Sequence, residues 1–453
     1  MAEEGIYEPG LSIIILAHNE FENTVKCVES IRMCADVEPL DVILADNYSD
    51  DGLAEWALAQ TDFTYVRFEE GFLPYGSVLN QIFEGLPLRE HVLVMSSRLM
   101  ITDSCLSSMV QTLVSHPDTG LVSGMSNGAF SKLQTLSFAR HKQSEDASDF
   151  RVYGSEEDAL LFHRTLIDET GPFPDSMTLL TSIAKDLSLR LIRDRKRCMV
   201  CAGAFLFAWR EPMKEPVNVM EKLGDDNAIL ELIWGVHYVQ LTGNEFIVNL
   251  MDAEPDAAPE VLEVGCEIGG TLFRIGEKFP HAVVHGCDIS EAPVKIAACS
   301  MDAFVGNIED ENLPFAENSL DYVIFGDVLE HLHNPLRTVT YIRTLLKENG
   351  CILASIPNVM NIEVMRGLLH GDFTYTEIGL LDKTHIHLFT YKEILRMFEK
   401  AGFTVEKTEQ YKSDISEQDA ELIEKLCALD SAAEPFMYET FQYIVRARKN
   451  PDA

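Results

Sequence analysis

The chain has 453 residues, 46% of them hydrophobic, and carries a formal net charge of −37 at pH 7. This length suits two or three domains, and the composition is typical of globular rather than disordered proteins. The negative charge argues against a nucleic-acid partner, because binding to phosphates requires clustered lysine and arginine.

The sequence also bears on location. Its 10 cysteines are scattered through apolar runs, the N-terminus has no secretory pattern, and no apolar stretch is long enough to cross a bilayer. We therefore expect a cytoplasmic protein with reduced thiols and no transmembrane segment.

Alternating strand and helix patterns occur twice along the chain. Between residues 11 and 210, short hydrophobic runs such as LSIIIL and HVLVM alternate with helical patterns. A helical stretch and the acidic linker MDAEPDAAPE follow, and the alternation restarts at Val261. The sequence therefore predicts an α/β protein with a domain at 1–210, a helical connector and linker at 211–258, and a second domain at 259–453.

The second domain opens with the pattern of a nucleoside site. In VLEVGCEIGG, at 261–270, a hydrophobic run ends in a glycine-bearing turn, and Asp288 ends the next apolar run. In parallel α/β sheets, such glycines let the backbone approach the ligand, and an acidic residue at the tip of the second strand accepts ribose hydroxyls. The last apolar run, TFQYIVRAR, has no helix after it and is predicted to be an antiparallel strand.

Together with CDIS at 287–290, the segment 306–335 and SIPN at 355–358, this half resembles a class I S-adenosylmethionine-dependent methyltransferase. The resemblance implies a Rossmann-like doubly wound domain with a mixed seven-stranded sheet and S-adenosylmethionine as cofactor. The segment 379–403 resembles the substrate side of methyltransferases that are fused to glycosyltransferases. The cofactor-binding residues that the resemblance implies are Glu263, Gly265, Glu267, Gly269, Asp288, Ile289, Asn307, Ile308 and Asp327.

Two of these positions depart from the family pattern. Glu267 stands where the family has its middle glycine, and a carboxylate there either pairs with the ammonium group of the cofactor or blocks the pocket. Asn307 replaces the usual aspartate and retains hydrogen-bonding capacity for the adenine edge, with Ile308 expected to pack on the ring.

The acceptor chemistry requires a nucleophile in line with the methyl group, and an alcohol nucleophile benefits from a general base. His331 follows the fourth strand, where the family places catalytic or cofactor-lining groups. Asp382, His385 and His387 lie in the segment over the pocket and are alternative bases. For each histidine the competing interpretation is a structural role.

A candidate set of ligands for a divalent cation occurs in the same region. Asp327, Glu330 and His331 stand at i, i+3 and i+4, so a helical turn would place all three on one face. The competing interpretation is helix capping by Asp327 and a surface Glu–His pair.

The first half has a second pattern, in LSIIILAHNE and DVILADNYSDDG, that resembles the nucleotide-binding start of family 2 glycosyltransferases with the GT-A fold, a second Rossmann-like domain. The residues that the resemblance implies for a nucleotide-sugar are His18, Asn19, Glu20 and Asp46, with Arg98 as a cation-free partner for phosphate.

Two chemical positions of that family are changed. Ser96, Ser97 and Arg98 stand where the family has its acidic metal motif, and Ile183 and Ala184 stand where it has the Glu-Asp pair that carries the general base. We therefore expect a degenerate glycosyltransferase-like domain.

The sequence thus predicts an S-adenosylmethionine-dependent methyltransferase that acts on a sugar hydroxyl in glycan biosynthesis. The expected partners are a sugar or glycan acceptor, a nucleotide-sugar and another glycosyltransferase, but no nucleic acid. Two alternatives stay open: a bifunctional glycosyltransferase and methyltransferase, and a non-catalytic scaffold of a glycosylation complex.

Overall fold

The computed structural model describes residues 8–126, 148–208, 219–412, 414–430 and 432–451. The chain forms two compact units, Met1–Thr242 and Gly243–Ala453. Each unit contains one sheet with helices around it.

The first unit is built on a mixed sheet with the strand order β3-β2-β1-β4-β8-β6-β9-β5, in which β7 also pairs with β9. Strand β1 is fully buried and runs parallel to its neighbours β2 and β4, as expected for a continuous hydrophobic run at the centre of a parallel sheet. The strands are β1 (Leu11–Ala17), β2 (Leu40–Asn47), β3 (Thr64–Phe68), β4 (His91–Ser96), β5 (Leu99–Ile101), β6 (Thr119–Ser126), β7 (Phe150–Val152), β8 (Ala159–His163) and β9 (Arg197–Ala208).

The helices of the first unit connect these strands and cover the sheet. Among the helices described in this unit, α6 is buried along nearly its whole length, polar residues such as Asp186 and Ser188 included. The helices are α1 (Phe21–Cys34), α2 (Leu53–Leu58), α3 (Tyr75–Gly85), α4 (Cys105–Ser115), α5 (Thr165–Thr170), α6 (Leu180–Arg193) and α7 (Val219–Trp234).

The second unit contains a seven-stranded sheet with the order β12-β11-β10-β13-β14-β16-β15. Strands β10 to β14 pair in parallel, and β16 is inserted antiparallel between β14 and β15. The strands are β10 (Glu260–Val264), β11 (Val283–Asp288), β12 (Asp302–Val305), β13 (Leu320–Gly326), β14 (Leu346–Pro357), β15 (Phe403–Lys412) and β16 (Thr440–Lys449).

Helices flank this sheet on both faces, so that two separate apolar clusters form, one on each side of β10 and β13. The helices are α8 (Glu245–Leu250), α9 (Gly270–Lys278), α10 (Glu291–Ala297), α11 (Pro335–Leu345), α12 (Ile362–His370), α13 (Tyr391–Lys400), α14 (Glu417–Leu429) and α15 (Phe436–Glu439), with 3-10 turns at Ile308–Asp310 and Leu329–His331.

These features confirm the predicted fold class, including the mixed seven-stranded sheet with its antiparallel last strand. The boundary between the two units lies earlier in the sequence than the acidic linker suggests. Helix α8, which the sequence assigned to the connector, packs through Ile247 and Leu250 into the same cluster as Val261 of β10 and Leu272 of α9. Residues from 243 onward therefore fold with the second unit.

In the described parts of the chain, no helix combines the length and the hydropathy that a bilayer crossing requires.

Candidate active site

The loop between β10 and α9 turns sharply at the end of the first strand of the second sheet. Gly265 and Gly269 have positive φ angles of 73° and 93°, a backbone region that L side chains rarely adopt. A β-carbon on Gly265 would lie 2.5 Å from a methyl group of Val328, and one on Gly269 would lie 2.5 Å from the sulfur of Met301. Both positions therefore require glycine for the loop to keep this path.

Asp288 lies at the end of β11, next to this loop. One carboxylate oxygen accepts a hydrogen bond of 2.9 Å from the backbone N–H of Glu267, and the other accepts one of 2.8 Å from the N–H of Ser290. The carboxylate is thus fixed in orientation by two backbone donors, and each oxygen retains a lone pair for a further donor. This is a suitable arrangement for accepting the two hydroxyls of a ribose.

Two more carboxyl groups lie at the same loop, Glu263 in the interior and Glu267 exposed to solvent. Burial raises the pKa of Glu263 to about 8, and the charges of Glu267 and Asp288 also raise it. Desolvation by the surrounding protein raises the pKa of Glu267 to about 7, with further contributions from Asp288 and Asp327. Glu267 itself has a positive φ of 46°, so the residue adopts the conformation of the glycine that it replaces. Such a group of carboxylates favours a cationic ligand.

The residues expected around an adenine ring divide into exposed and buried ones. Ile289 is 71% exposed directly after Asp288, and its side chain is available to a ligand. Ile308, in contrast, is buried in the apolar cluster with Val264. The side-chain oxygen of Asn307 accepts a hydrogen bond of 3.0 Å from the N–H of Glu309 and so caps the following 3-10 turn.

The end of β13 differs from the helical turn that the spacing predicts. Only Leu329–His331 forms a turn of 3-10 helix, and Asp327 precedes it with a positive φ of 55°. The exposed Asp327 carboxylate accepts a hydrogen bond from the side-chain amide of Gln442, and desolvation by the surrounding protein raises its pKa to about 6. The expectation that Asp327, Glu330 and His331 share one helical face is therefore wrong, because no α-helix forms there.

The structure instead brings Glu330 and His331 together with His385. One potential ligand atom from each of the three lies within 4.8 Å of the others. Nε2 of His385 is 3.9 Å from Oε1 of Glu330, and the two imidazole rings make an edge-on contact with their centroids 4.8 Å apart. The pKa of Glu330 is raised well above its usual range by burial and by the charges of Asp327 and Asp382, whereas burial lowers the pKa of His331.

The segment that carries His385 is attached to the turn after β13 through backbone hydrogen bonds. The N–H groups of Ile386 and His387 both donate to the carbonyl oxygen of Glu330 at 3.0 Å. Nε2 of His387 faces the carbonyl oxygen of His333 at 3.2 Å, and Oδ1 of Asp382 accepts hydrogen bonds from the backbone and hydroxyl of Thr384. Of the predicted bases, His331 and His385 are therefore adjacent, and His387 is directed elsewhere.

In the first unit, the predicted nucleotide residues at the ends of β1 and β2 are engaged with one another or with arginine. Asp46 is fully buried, and its Oδ2 accepts hydrogen bonds of 2.6 Å from the hydroxyl of Tyr65 and 2.7 Å from Arg67. Nδ1 of His18 lies 2.7 Å from the carbonyl oxygen of Asn47. The Asp46 carboxylate is thus already neutralised inside the protein.

Glu20 is neutralised in the same way. Its Oε1 accepts a hydrogen bond of 2.5 Å from Nε of Arg98, and its Oε2 accepts one of 3.0 Å from the hydroxyl of Ser97. Asn19 bridges to the next turn, since its side-chain oxygen accepts a hydrogen bond of 2.9 Å from the N–H of Asp50. Arg98 therefore forms an internal ion pair at the position of the missing metal motif.

One acidic residue of this region was not found from the sequence. Asp158, which precedes β8, is buried close enough to Arg98 for their charges to interact, and burial raises its pKa to about 6. No motif marks it, because it approaches Arg98 through antiparallel pairing of β8 with β4 rather than through a nearby sequence position. Asp186, the acidic residue after Ala184, is buried against Arg190 and Trp234.

One family model matches within the first unit, and another matches almost entirely within the second. The family model described as "Methyltransferase domain" matches residues 237–408, and the model described as "Glycosyl transferase family 2" matches residues 12–144. The chain therefore joins a family 2 glycosyltransferase-like domain to an S-adenosylmethionine-dependent methyltransferase domain.

Individual relatives match less than half of the chain. The tRNA N(3)-cytidine methyltransferase METTL2 of Mus musculus is 25% identical over 229 residues, which are 47% of this chain and 52% of that protein. The malonyl-[acyl-carrier protein] O-methyltransferase of Geobacter sulfurreducens is 22% identical over 169 residues, 36% of this chain and 63% of that protein. The chain spans about half the length of the tRNA-methylating relatives it matches.

Among solved structures, GalNAc-T7 with UDP, GalNAc and Mn²⁺ aligns with a TM-score of 0.37 at 10% identity. The alignment covers 46% of this chain and 45% of that chain.

The pKa of Glu267 leads to a prediction for cofactor binding. Because the pKa of this carboxyl group is raised to about 7, the affinity for S-adenosylhomocysteine, whose amino group is cationic, should rise as the pH increases from 6 to 8. Replacing Glu267 with Gln should weaken binding about tenfold at pH 8, the typical value of a charge-assisted hydrogen bond, and should flatten the pH dependence. Calorimetric titration at several pH values measures both effects. Tighter binding by the Gln variant would mean that Glu267 obstructs the pocket.

Proposed function

We propose that the second unit transfers a methyl group from S-adenosylmethionine to a hydroxyl group of a sugar during glycan assembly. The observation that carries the proposal is the pairing of the loop after β10, with its two required glycines, and the Asp288 carboxylate at the end of β11, held by two backbone donors, within a matched methyltransferase domain. This arrangement supports a nucleoside site.

The carboxyl groups of the loop support binding of this cofactor. In this proposal Asp288 accepts the ribose hydroxyls and Glu267 receives the ammonium group; the backbone donor that orients Asp288 and the charge environment of Glu267 support these roles. When bound, S-adenosylmethionine supplies an electrophilic methyl group on a cationic sulfur. The negative charge that surrounds Glu267 from Asp288 and Asp327 is suited to both positive charges of the ligand.

The side chains of the acceptor segment support an oxygen nucleophile. Nδ1 of His331 and Nδ1 of His385 each face a backbone carbonyl oxygen at 3.2 Å, so the Nδ1 atoms carry the hydrogens and the Nε2 atoms keep their lone pairs. A lone pair at this place serves a hydroxyl acceptor, which must lose its proton as the new C–O bond forms. Asp382, whose charge acts on both histidines, is a further acceptor for that proton.

The choice of a sugar rests on the first unit. Relatives of the second unit methylate cytidine in tRNA or the malonyl group of an acyl-carrier protein. A net charge of −37 disfavours tRNA, since phosphate repulsion would oppose docking. Fusion to a family 2 glycosyltransferase-like domain favours an acceptor from glycan chemistry.

We infer that the first unit holds a glycan or a partner transferase rather than transferring sugar. Asp46 is paired with Arg67, and Glu20 is paired with Arg98, so neither carboxylate is free for a metal-bound diphosphate. The aligned base positions, Ile183 and Ala184, are buried apolar residues.

The cofactor site is tested with Asp288. Replacing it with Ala removes the acceptor for the ribose hydroxyls and for two backbone donors, and should weaken binding of S-adenosylhomocysteine more than about tenfold in calorimetric titrations. The affinity of Asp288→Asn, which keeps one acceptor oxygen, should lie between those of the wild type and Asp288→Ala. Asp256→Ala, at an exposed position of the same unit, is the matched control and should bind as the wild type does. Unchanged affinity of Asp288→Ala in a folded sample would remove the site assignment.

The inference about the first unit is tested with nucleotide-sugars. The purified chain should release no nucleoside diphosphate above background from a panel of UDP- and GDP-sugars, with or without Mn²⁺, because its acidic groups are neutralised internally. A coupled assay for the released diphosphate measures this. Release that is lost in Asp46→Asn would instead establish a bifunctional enzyme.

A further inference from the structure

Glu330 is an unusual residue for the interior of the second unit. Its side chain is fully buried, and neither carboxylate oxygen has a hydrogen-bond partner among the described residues. A buried carboxyl group without partners is costly, and nearly all buried polar groups are satisfied in folded proteins. The charges that act on Glu330 come from Asp327 and Asp382, which add negative charge rather than compensate it. A bound cation would compensate this negative charge.

Two histidines are held in a fixed orientation around this carboxylate. The carbonyl oxygen of Thr384 lies 3.2 Å from Nδ1 of His331, and that of Leu380 lies 3.2 Å from Nδ1 of His385. A ligating histidine commonly donates its other ring N–H to such an oxygen, which sets the tautomer and the direction of the free nitrogen. For His385 the free Nε2 lies 3.9 Å from Oε1 of Glu330.

We propose that Glu330, His331 and His385 bind one divalent transition-metal ion. Bonds of about 2.0–2.2 Å from nitrogen and oxygen to a shared ion separate the ligand atoms by roughly 3–4 Å. The three potential ligand atoms already lie within 4.8 Å of one another, so small side-chain movements complete the geometry.

The donor set selects the class of metal. Two imidazoles and one carboxylate suit Zn²⁺, Mn²⁺, Co²⁺ or Fe²⁺, whereas Mg²⁺ and Ca²⁺ prefer oxygen ligands alone. Three protein ligands leave at least one position open, which is the pattern of a catalytic rather than a structural site.

The role of the ion rests on the proposed methyl transfer. The acceptor hydroxyl takes the open position, and the ion lowers its pKa. Its proton passes to Asp382, the oxygen lone pair forms the new C–O bond with the methyl carbon, and the C–S bond electrons remain on sulfur, which leaves as the neutral thioether. His331 and His385 then act as ligands, and the proton acceptor is Asp382.

Cobalt provides a direct test, because Co²⁺ in a nitrogen–oxygen site of low coordination number absorbs visible light. Full-length protein is freed of metal with a chelator and titrated with Co²⁺ alone. We expect visible absorption that saturates at one equivalent per chain. Glu330→Gln and His385→Gln should each weaken binding more than about 100-fold, since removing a residue that only hydrogen-bonds to a metal ligand already costs about 10–100-fold. Circular dichroism confirms that the variants are folded.

His333→Ala is the matched control. His333 lies two residues after His331, but its side chain is 88% exposed and contacts Glu309. The variant should therefore bind Co²⁺ as the wild type does. Absence of saturable Co²⁺ binding in the wild type, or binding that survives both ligand substitutions, overturns the proposal.

Titration of the same samples with S-adenosylhomocysteine separates this inference from the proposed function. Cofactor binding without Co²⁺ binding overturns the metal site and leaves methyl transfer standing. Co²⁺ binding at Glu330 without cofactor binding supports the metal site and removes the proposed function.

Discussion

Several carboxyl groups of the second unit lie near one another at the ends of strands β10 and β13, with Glu263 and Glu330 buried and Glu267 and Asp327 exposed to solvent. Glu263 and Glu267 lie at the loop after β10, and Asp327 and Glu330 follow β13. Each has a raised pKa, with desolvation as the largest cause and other carboxylates as a further one for all but Asp327. Burial of like charges is unfavourable, and the protein must hold protons there or bind cations. A cofactor with two positive charges and a divalent metal ion both meet this requirement.

The first unit resolves a similar accumulation of acidic residues in the opposite way. Asp46 is bound by Arg67 and Tyr65, and Glu20 is bound by Arg98 and Ser97. Charge-assisted hydrogen bonds of this kind are strong inside proteins, so the acidic groups are satisfied without a ligand. One chain thus contains two proposed nucleotide sites, one with unmatched negative charge and one whose charge is matched by arginine.

Much of the second unit was predictable because its signals are local. Hydrophobic runs ended where β10, β11 and β13 end, and Asp288 and the two loop glycines occupy the expected places. Ile308 was not predictable, since a single apolar residue after a strand packs into the core as readily as on a ligand. The α-helical turn through Asp327 was wrong because spacing alone does not distinguish an α-helix from a short 3-10 turn.

Only two of the three residues in the cluster at Glu330 could be grouped from the sequence. Glu330 and His331 are adjacent, but His385 arrives from a segment without regular secondary structure, through backbone bonds from Ile386 and His387 to the Glu330 carbonyl oxygen. Such bonds leave no trace in side-chain patterns. In the first unit, Asp158 was missed for a related reason, because strand pairing brings it to Arg98.

The most direct measurement for the whole account is transfer of the methyl group itself. The chain, supplied with Co²⁺ or Mn²⁺ and isotopically labelled S-adenosylmethionine, is incubated with a panel of oligosaccharides, tRNA and malonyl-acyl-carrier protein, and the products are identified by mass spectrometry. The account predicts label as a methyl ether on a sugar hydroxyl. Label in tRNA or in the acyl-carrier protein, with none in any sugar, would contradict it.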